Sequence, residues 1–196
     1  SEPGLLTTSV RRGDGSVLDV SVHHVQGLRI LEFEPAERQV SFGFPPYYAS
    51  LRQAMFRLQE ASTVMEASDV IVREVRRVTG YDRVMVYRFG PGGAGEVIAE
   101  DRRAGLDPYL GLHYPASDIP VQARALYERN WIRAIERVDY EPAGLLIDAG
   151  LGLEGTLDLS GSVLRSVSPV HRQYLRNMGV QASMSVSILR DGRLWG

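Results

Sequence analysis

Tyr109-Leu-Gly-Leu-His-Tyr-Pro-Ala-Ser-Asp-Ile-Pro120 stands in the middle of the chain and runs on into Val121-Gln-Ala-Arg-Ala-Leu-Tyr127. Its first half cannot settle into a helix. Gly111, Pro115 and Pro120 interrupt any regular element, and the residues before the prolines, Tyr114 and Ile119, are pushed toward extended backbone. Pro120 suits the first turn of a helix, and the run that follows it is made of good helix formers. The sequence therefore predicts a stiff, aromatic-rich loop that delivers Tyr114 and Asp118 to a fixed place ahead of a helix. Such a loop either lines a ligand site or covers the edge of a core.

Composition narrows what surrounds this loop. The chain has 196 residues, 44% of them hydrophobic, which suits one generous domain or one domain with a fragment of another. Net charge is -2 and the basic residues are scattered, so nothing resembles a nucleic-acid footprint. All the basic residues are arginine, which excludes lysine Schiff-base chemistry in this chain. There is no cysteine, which excludes disulfides, thiolate catalysis, cysteine-based zinc sites and thioether-linked cofactors. No apolar run approaches the roughly 20 residues that span a bilayer, and no N-terminal signal pattern is present. A soluble, cytoplasmic protein is the expectation.

Working outward, residues 1–40 read as strands: one over Leu5 to Arg11, the Gly13-Asp-Gly15 turn, and an alternating strand from Val17 to His24. Gln26-Gly27 turns into a third over Leu28 to Glu34. His23 and His24, adjacent in a strand, face opposite sides and cannot share a metal. From Pro45 to Gly80 apolar residues recur at helical steps: Leu51, Met55, Leu58 and Met65, then Ile71, Val75 and Val78. Ser68-Asp69 is the expected N-cap of a second helix, and Gly80 its terminator. Arg83 to Phe89, the turn Gly90-Pro-Gly-Gly93 and Glu96 to Asp101 predict a β-hairpin, with Met85 and Tyr87 on one face. The helix after the central loop is expected to run through Arg133. Residues 139–162 are Gly- and Leu-rich without a clear period. Ser168-Pro169 opens a helix that carries His171, Tyr174, Leu175 and Met178 on one face and ends at Gly179. Ala182 to Leu189 predicts a strand with Ser183, Ser185 and Ser187 on one side, and Asp191-Gly192 a hairpin turn that demands a partner strand.

Arg133, Arg165, Ser183 and Ser185 form a constellation suited to a carboxylate, because the planar guanidinium stays charged and matches two oxygens. Enzyme chemistry finds little footing. Ser168 and Ser185 lack a neighbouring base pattern, Glu100 and Asp101 face opposite ways on a strand, and the Gly90–Gly95 run lacks the Lys-Ser/Thr of a phosphate loop.

The central loop resembles the Pro-Ala-Ser-Asp-Ile-Pro signature of the phytochromes, red-light receptors that hold a linear tetrapyrrole in a GAF domain. The resemblance continues through Tyr81-Asp-Arg-Val-Met-Val-Tyr-Arg-Phe89, Gly95-Glu-Val-Ile-Ala-Glu100, Val163-Leu-Arg-Ser-Val-Ser-Pro-Val-His171 and Tyr174-Leu-Arg-Asn-Met-Gly179, ordered and spaced as in the bacteriophytochromes. It spans roughly Phe42 to Gly196, with a weaker match upstream. It implies an α+β fold: a GAF domain over 41–196, its antiparallel sheet flanked by helices and its last strands lying beyond Gly196, preceded over 1–40 by the closing strands of a PAS domain. Residues 139–162 match the place of the lasso through which the N-terminal segment threads in the family. The helices of 45–80 would join a homodimer bundle or pack on their own sheet alone.

The resemblance also implies a cofactor, the bilin biliverdin, bound without a covalent link since no cysteine is present. Arg133 and Arg165 would take one propionate with Tyr127 and Ser168 assisting; Ser183, Ser185 and His171 would lie near the other. The Asp118 carbonyl and a water held by His171 would face the pyrrole N–H groups, with Ile119 beside them. Met85, Tyr87, Tyr114 and Tyr174 would surround the ring that rotates on photon absorption. The Asp118 side chain would await an arginine of a following PHY domain, and output such as histidine-kinase activity would sit in further domains. The rival functions are a GAF domain for another small ligand, such as a cyclic nucleotide, and a near-infrared fluorescent bilin-binding fragment.

Overall fold

A computed structural model describes residues 6–36, 44–146, 148 and 156–196. The chain divides into two compact units, Ser1–Val40 with Ile132–Val186, and Ser41–Trp131 with Ser187–Gly196.

The first unit opens with a three-stranded antiparallel sheet of β1 (Leu6–Arg11), β2 (Val17–Val25) and β3 (Leu28–Pro35), in that order. The tight turns fall where the sequence puts them: Gly15 and the Gln26-Gly27 pair have the left-handed backbone their turns require. His23 is buried and His24 exposed, so the two do face opposite sides of β2. The rest of the unit contains β7 (Ile132–Ile135), paired antiparallel with β8 (Ser183–Val186), and α4 (Pro169–Asn177). Ile135, Val138 and Leu175 are its buried apolar cluster, with Val167 and Val180 packed against it, so α4 lies on the end of β7.

Here two expectations are corrected. Arg133 is not helical: α3 (Val121–Arg129) ends at Asn130, and the β-branched pair Ile132 and Ile135 draws the segment into β7. The strand expected from Ala182 to Leu189 is two pieces, β8 and the short β9 (Leu189–Arg190). Residues described between 136 and 162 hold neither helix nor strand, and part of the expected lasso lies outside the described residues.

The second unit carries α1 (Phe44–Glu60) and α2 (Val64–Thr79), then β4 (Arg83–Phe89), β5 (Gly95–Arg102) and the two-residue β6 (His113–Tyr114) in one antiparallel sheet. α2 starts earlier than the Ser68-Asp69 reading. Thr63 accepts from the Glu66 amide while the Glu66 carboxylate accepts from the Thr63 amide, a reciprocal capping box, and Ser68 is buried inside the helix. Gly80 ends α2 in the left-handed conformation, as expected. Val72 of α2 packs on Val86, Ile98 and Ala99 to make the core, with Trp195 and Ile188 against it. Leu189–Arg190 pairs with β10 (Arg193–Leu194) around Asp191-Gly192, both at positive φ, which is the hairpin the sequence demands. No helix among the described residues is long and apolar enough to cross a membrane.

Candidate functional site

The candidate residues fall into two groups, one in each unit. In the second unit the central loop hangs from β5. Tyr114 pairs with Gly95 and His113 with Glu96, so two residues of β6 anchor an otherwise irregular segment. Glu100, its side chain 3% exposed, accepts hydrogen bonds from the amides of Tyr109 (3.0 Å) and Leu110 (3.2 Å) and an ion pair from Arg83 (2.7 Å). The Arg83 guanidinium also lies over the Tyr109 ring, 3.6 Å from its centroid. At the loop's far end the Asp118 amide donates to the Pro115 carbonyl (3.1 Å), closing a turn that leaves the Asp118 side chain exposed. Arg124 of α3 donates to the carbonyls of Ile119 (3.0 Å) and Gly93 (3.2 Å), tying the loop to the β4–β5 turn. Gly93 must be glycine here: φ is +88°, and a Cβ would stand 2.3 Å from the Arg124 guanidinium.

The structure brings Tyr87 and Tyr114 together, ring centroids 6.0 Å apart, with Phe89 edge-on to Tyr87 at 5.1 Å. The Tyr87 ring lies against Gly95, where a Cβ would come within 2.3 Å of it. The strand register shifts beside this cluster: Val86 pairs with Ala99 but Tyr87 with Val97, leaving Ile98 as the extra residue of a bulge. Burial raises the Tyr114 phenol above its ordinary value, and the neighbouring Tyr109 adds to that. Met85 is more than a third exposed on β4, and Tyr127 is half-buried on α3.

In the first unit Arg133 and Ser185 are register partners across β7 and β8, and Ser183 pairs with Ile135. The Arg133 guanidinium donates to the carbonyls of Val163 and Arg165, while Arg165 donates to the Ser162 carbonyl (2.6 Å). The two arginines thus meet on one short segment, 162–165, whose carbonyls fix their planes. Ser168 occupies the cap position of α4 without a side-chain capping bond, so its hydroxyl does not serve the helix start. His171 stands one turn before buried Leu175 on the same face of α4 and is half-buried, Tyr174 is more exposed, and burial lowers the His171 pKa from its usual value, which favours the neutral imidazole.

Sequence reasoning passed over four residues. Glu100 left no mark in the sequence of its reach to the loop amides, whereas Phe89 was legible as the residue two positions after Tyr87 on the same face of β4. Arg172 was not: it is buried in α4, donates to the carbonyls of Val138 (3.1 Å) and Tyr140, and stacks on the Tyr140 ring. Glu32, on the N-terminal sheet, reaches the 162–165 segment and accepts from the Val163 and Leu164 amides. A shallow cleft in the second unit lined by Arg73, Arg76, Arg77, Gly80, Tyr81 and Asp101 contains none of the candidates. Its arginines are engaged with Asp69 (3.7 Å), Asp101 (3.3 Å) and Glu74 (2.5 Å), which leaves it poorly suited to an anion.

A capped helix on an antiparallel sheet, with a loop strung from the sheet edge, matches the GAF domain model over residues 64–196. The chain belongs to the GAF domain family. Within it, similarity to phytochromes and bacteriophytochromes covers most of the chain. It is 48% identical over 178 residues to cyanobacterial phytochrome B of Nostoc sp., covering 91% of this chain and 24% of that protein. It is 44% identical over 180 residues to a bacteriophytochrome of Pseudomonas aeruginosa, covering 92% and 25%. Among solved structures, the chromophore-binding domain of Stigmatella aurantiaca phytochrome P1 superposes with a TM-score of 0.86 at 48% identity, over 98% of this chain and 63% of that one. The chain therefore spans about a quarter of the length of these curated relatives.

Proposed function

We propose that this chain is the chromophore-binding region of a red/far-red light receptor, holding biliverdin noncovalently in its GAF domain and signalling through isomerisation of the pigment. The observation that carries the reading is the arginine pair: Arg133 and Arg165 gathered on one segment, with Ser185 across the strand from Arg133. A linear tetrapyrrole offers two carboxylates and a long conjugated apolar body. The first unit has the groups for the carboxylates: Arg133 and Arg165 with Ser168 for one, Ser183, Ser185 and neutral His171 for the other. The second unit has Tyr127 as a phenolic donor and, in Tyr87, Tyr114 and Met85, a deformable aromatic and thioether wall. The first unit also offers Tyr174, and the Asp118 backbone supplies a carbonyl acceptor for pyrrole N–H groups. When bound, the pigment supplies light absorption; the protein's residues bind it, orient it and keep it protonated.

In this reading residues 1–40 are the closing part of a PAS domain and 41–196 the GAF domain of a longer cytoplasmic receptor, whose PHY and output domains carry any kinase activity. A homodimer through α1 and α2 is supported by Leu51, Met55 and Phe56 of α1 and Val64 and Met65 of α2, all about half exposed.

Titration with biliverdin, followed by absorbance, tests the function. A saturable red band that changes on red illumination is the expected result. Saturable binding of a cyclic nucleotide without pigment binding refutes it, and pigment binding with strong emission and no photoconversion assigns the chain to the fluorescent class. The parent is expected to bind free biliverdin more tightly than its dimethyl ester. Arg133→Ala removes one partner of a charge-assisted pair, a change worth about 2–5 kcal/mol when that pair is desolvated.

A further inference from the structure

The N-terminal sheet holds a buried acid that the pigment reading leaves unused. Glu32 of β3 is 7% exposed, and its carboxylate accepts from the backbone amides of Val163 (2.9 Å) and Leu164 (2.6 Å). His23, equally buried on β2, stands behind it with Nδ1 3.9 Å from Oε2, and neither ring nitrogen has a hydrogen-bond partner. On its other side the imidazole meets Gly161, where a Cβ would lie 3.0 Å from Cδ2, so the segment crosses the sheet in close contact. Upstream, Gln26 in the β2–β3 turn clasps the same strand of chain, accepting from the Asp158 amide (3.0 Å) and donating to the Thr156 carbonyl (3.3 Å). One β-hairpin thus grips residues 156–164 at both ends.

What it grips is the support of the arginine pair. The amides of Val163 and Leu164 point at Glu32, while the carbonyls of Val163 and Arg165 point at Arg133 and that of Ser162 at Arg165. Charge-assisted bonds to an ionised, buried acceptor are about twice as strong as neutral ones. They set the segment's position, and through it the planes of both guanidinium groups.

We propose that Glu32 is a positioning residue for the carboxylate clamp: an acid on the N-terminal sheet, 131 residues before the Val163 amide that it holds, fixes Arg133 and Arg165 for the pigment's propionate. The proposal rests on the pigment reading above. Glu32→Gln keeps the size of the side chain but leaves one oxygen to serve two amides. Glu32→Asp keeps the charge but withdraws it by one methylene.

The test compares dissociation constants for biliverdin and its dimethyl ester, by absorbance titration, in the parent and both variants. The expected result is a loss of about tenfold in affinity for the free acid in Glu32→Gln, with ester affinity unchanged, so the acid-to-ester preference collapses. A purely structural role weakens both pigments in proportion, and that result overturns the proposal, as does an unchanged preference. Should Glu32→Gln not fold, Glu32→Asp decides by the same comparison, with a reduced preference expected and an unchanged one refuting. A parent that binds acid and ester equally refutes the clamp itself, and this role of Glu32 falls with it.

Discussion

Single residues in this chain act mainly by holding backbone in place, and two of them give direct tests. His171 is pushed below the usual histidine pKa by burial, so the folded chain takes up its proton less readily than the unfolded chain does. The unfolded state then binds more protons between the lowered value and about 6.5, and stability rises with pH across that window. On acidification from about pH 7.5 to 5.5 the thermal midpoint is expected to fall, and to fall less in His171→Gln. Asp14 and Asp139, whose carboxyls are lowered by Ser16 and Arg137, lose their contribution only in the more acidic carboxylate range and do not blur the comparison. Parallel pH profiles for parent and variant would acquit His171. Gly95 offers the second test. An added methyl lands within 2.3–2.5 Å of the Tyr87 ring and hydroxyl, on a strand whose neighbours are Tyr114 and Phe89. Gly95→Ala is expected to cost about 1–3 kcal/mol as overpacking. In a Tyr87→Ala background the same change should cost little, because the clash is gone. Equal costs in both backgrounds would mean that the ring moves aside freely.

At the scale of elements, α2 shows how local chemistry sets a boundary. The Thr63–Glu66 capping box satisfies amides at the helix start, and Thr63→Ala is expected to destabilise the chain by about 1 kcal/mol, read as a lower thermal midpoint. An unchanged midpoint would show that packing of Val72 alone places the helix. That box was legible in the sequence as Thr-x-x-Glu, yet Ser68-Asp69 also fits a cap, and only the burial of Ser68 rejects it. The same limit explains β7. Helix formers run unbroken through Arg129, and what turns Ile132–Ile135 into a strand is its pairing with Ser183–Val186, about fifty residues on. Turns and terminators were read correctly because glycine chemistry is local: Gly80 and Gly192 take positive φ where their caps and turns need it. The bulge at Ile98 leaves no comparable mark, since a β-rich run looks the same with or without a register shift.

Across the whole chain, the candidate residues were legible largely because several blocks resemble one family in order and spacing; the residues that support them were not. Glu32 and Glu100 do the same job on two different loops, each a nearly buried carboxylate taking two consecutive amides, at 163–164 and at 109–110. An acid in a strand gives no sign of which amides will reach it, so neither loop anchor follows from pattern alone. One break between the compact units falls at Val40, and residues 132–186 join β1–β3 in the same unit, through Gln26 and Glu32. The absence of cysteine bears on the entire molecule, and it yields the last prediction. With no thiol and no lysine in the sequence, biliverdin bound to this polypeptide has no ordinary nucleophile with which to form a stable thioether or imine. Retention then depends on folded structure: the arginine forks lose their planes and the aromatic wall its shape once the chain unfolds. Acid urea is expected to release all the pigment, leaving the intact mass of the protein equal to that of the bare chain. A surviving bilin adduct in the mass spectrum would overturn this and redirect attention to an oxygen or imidazole nucleophile within the chain.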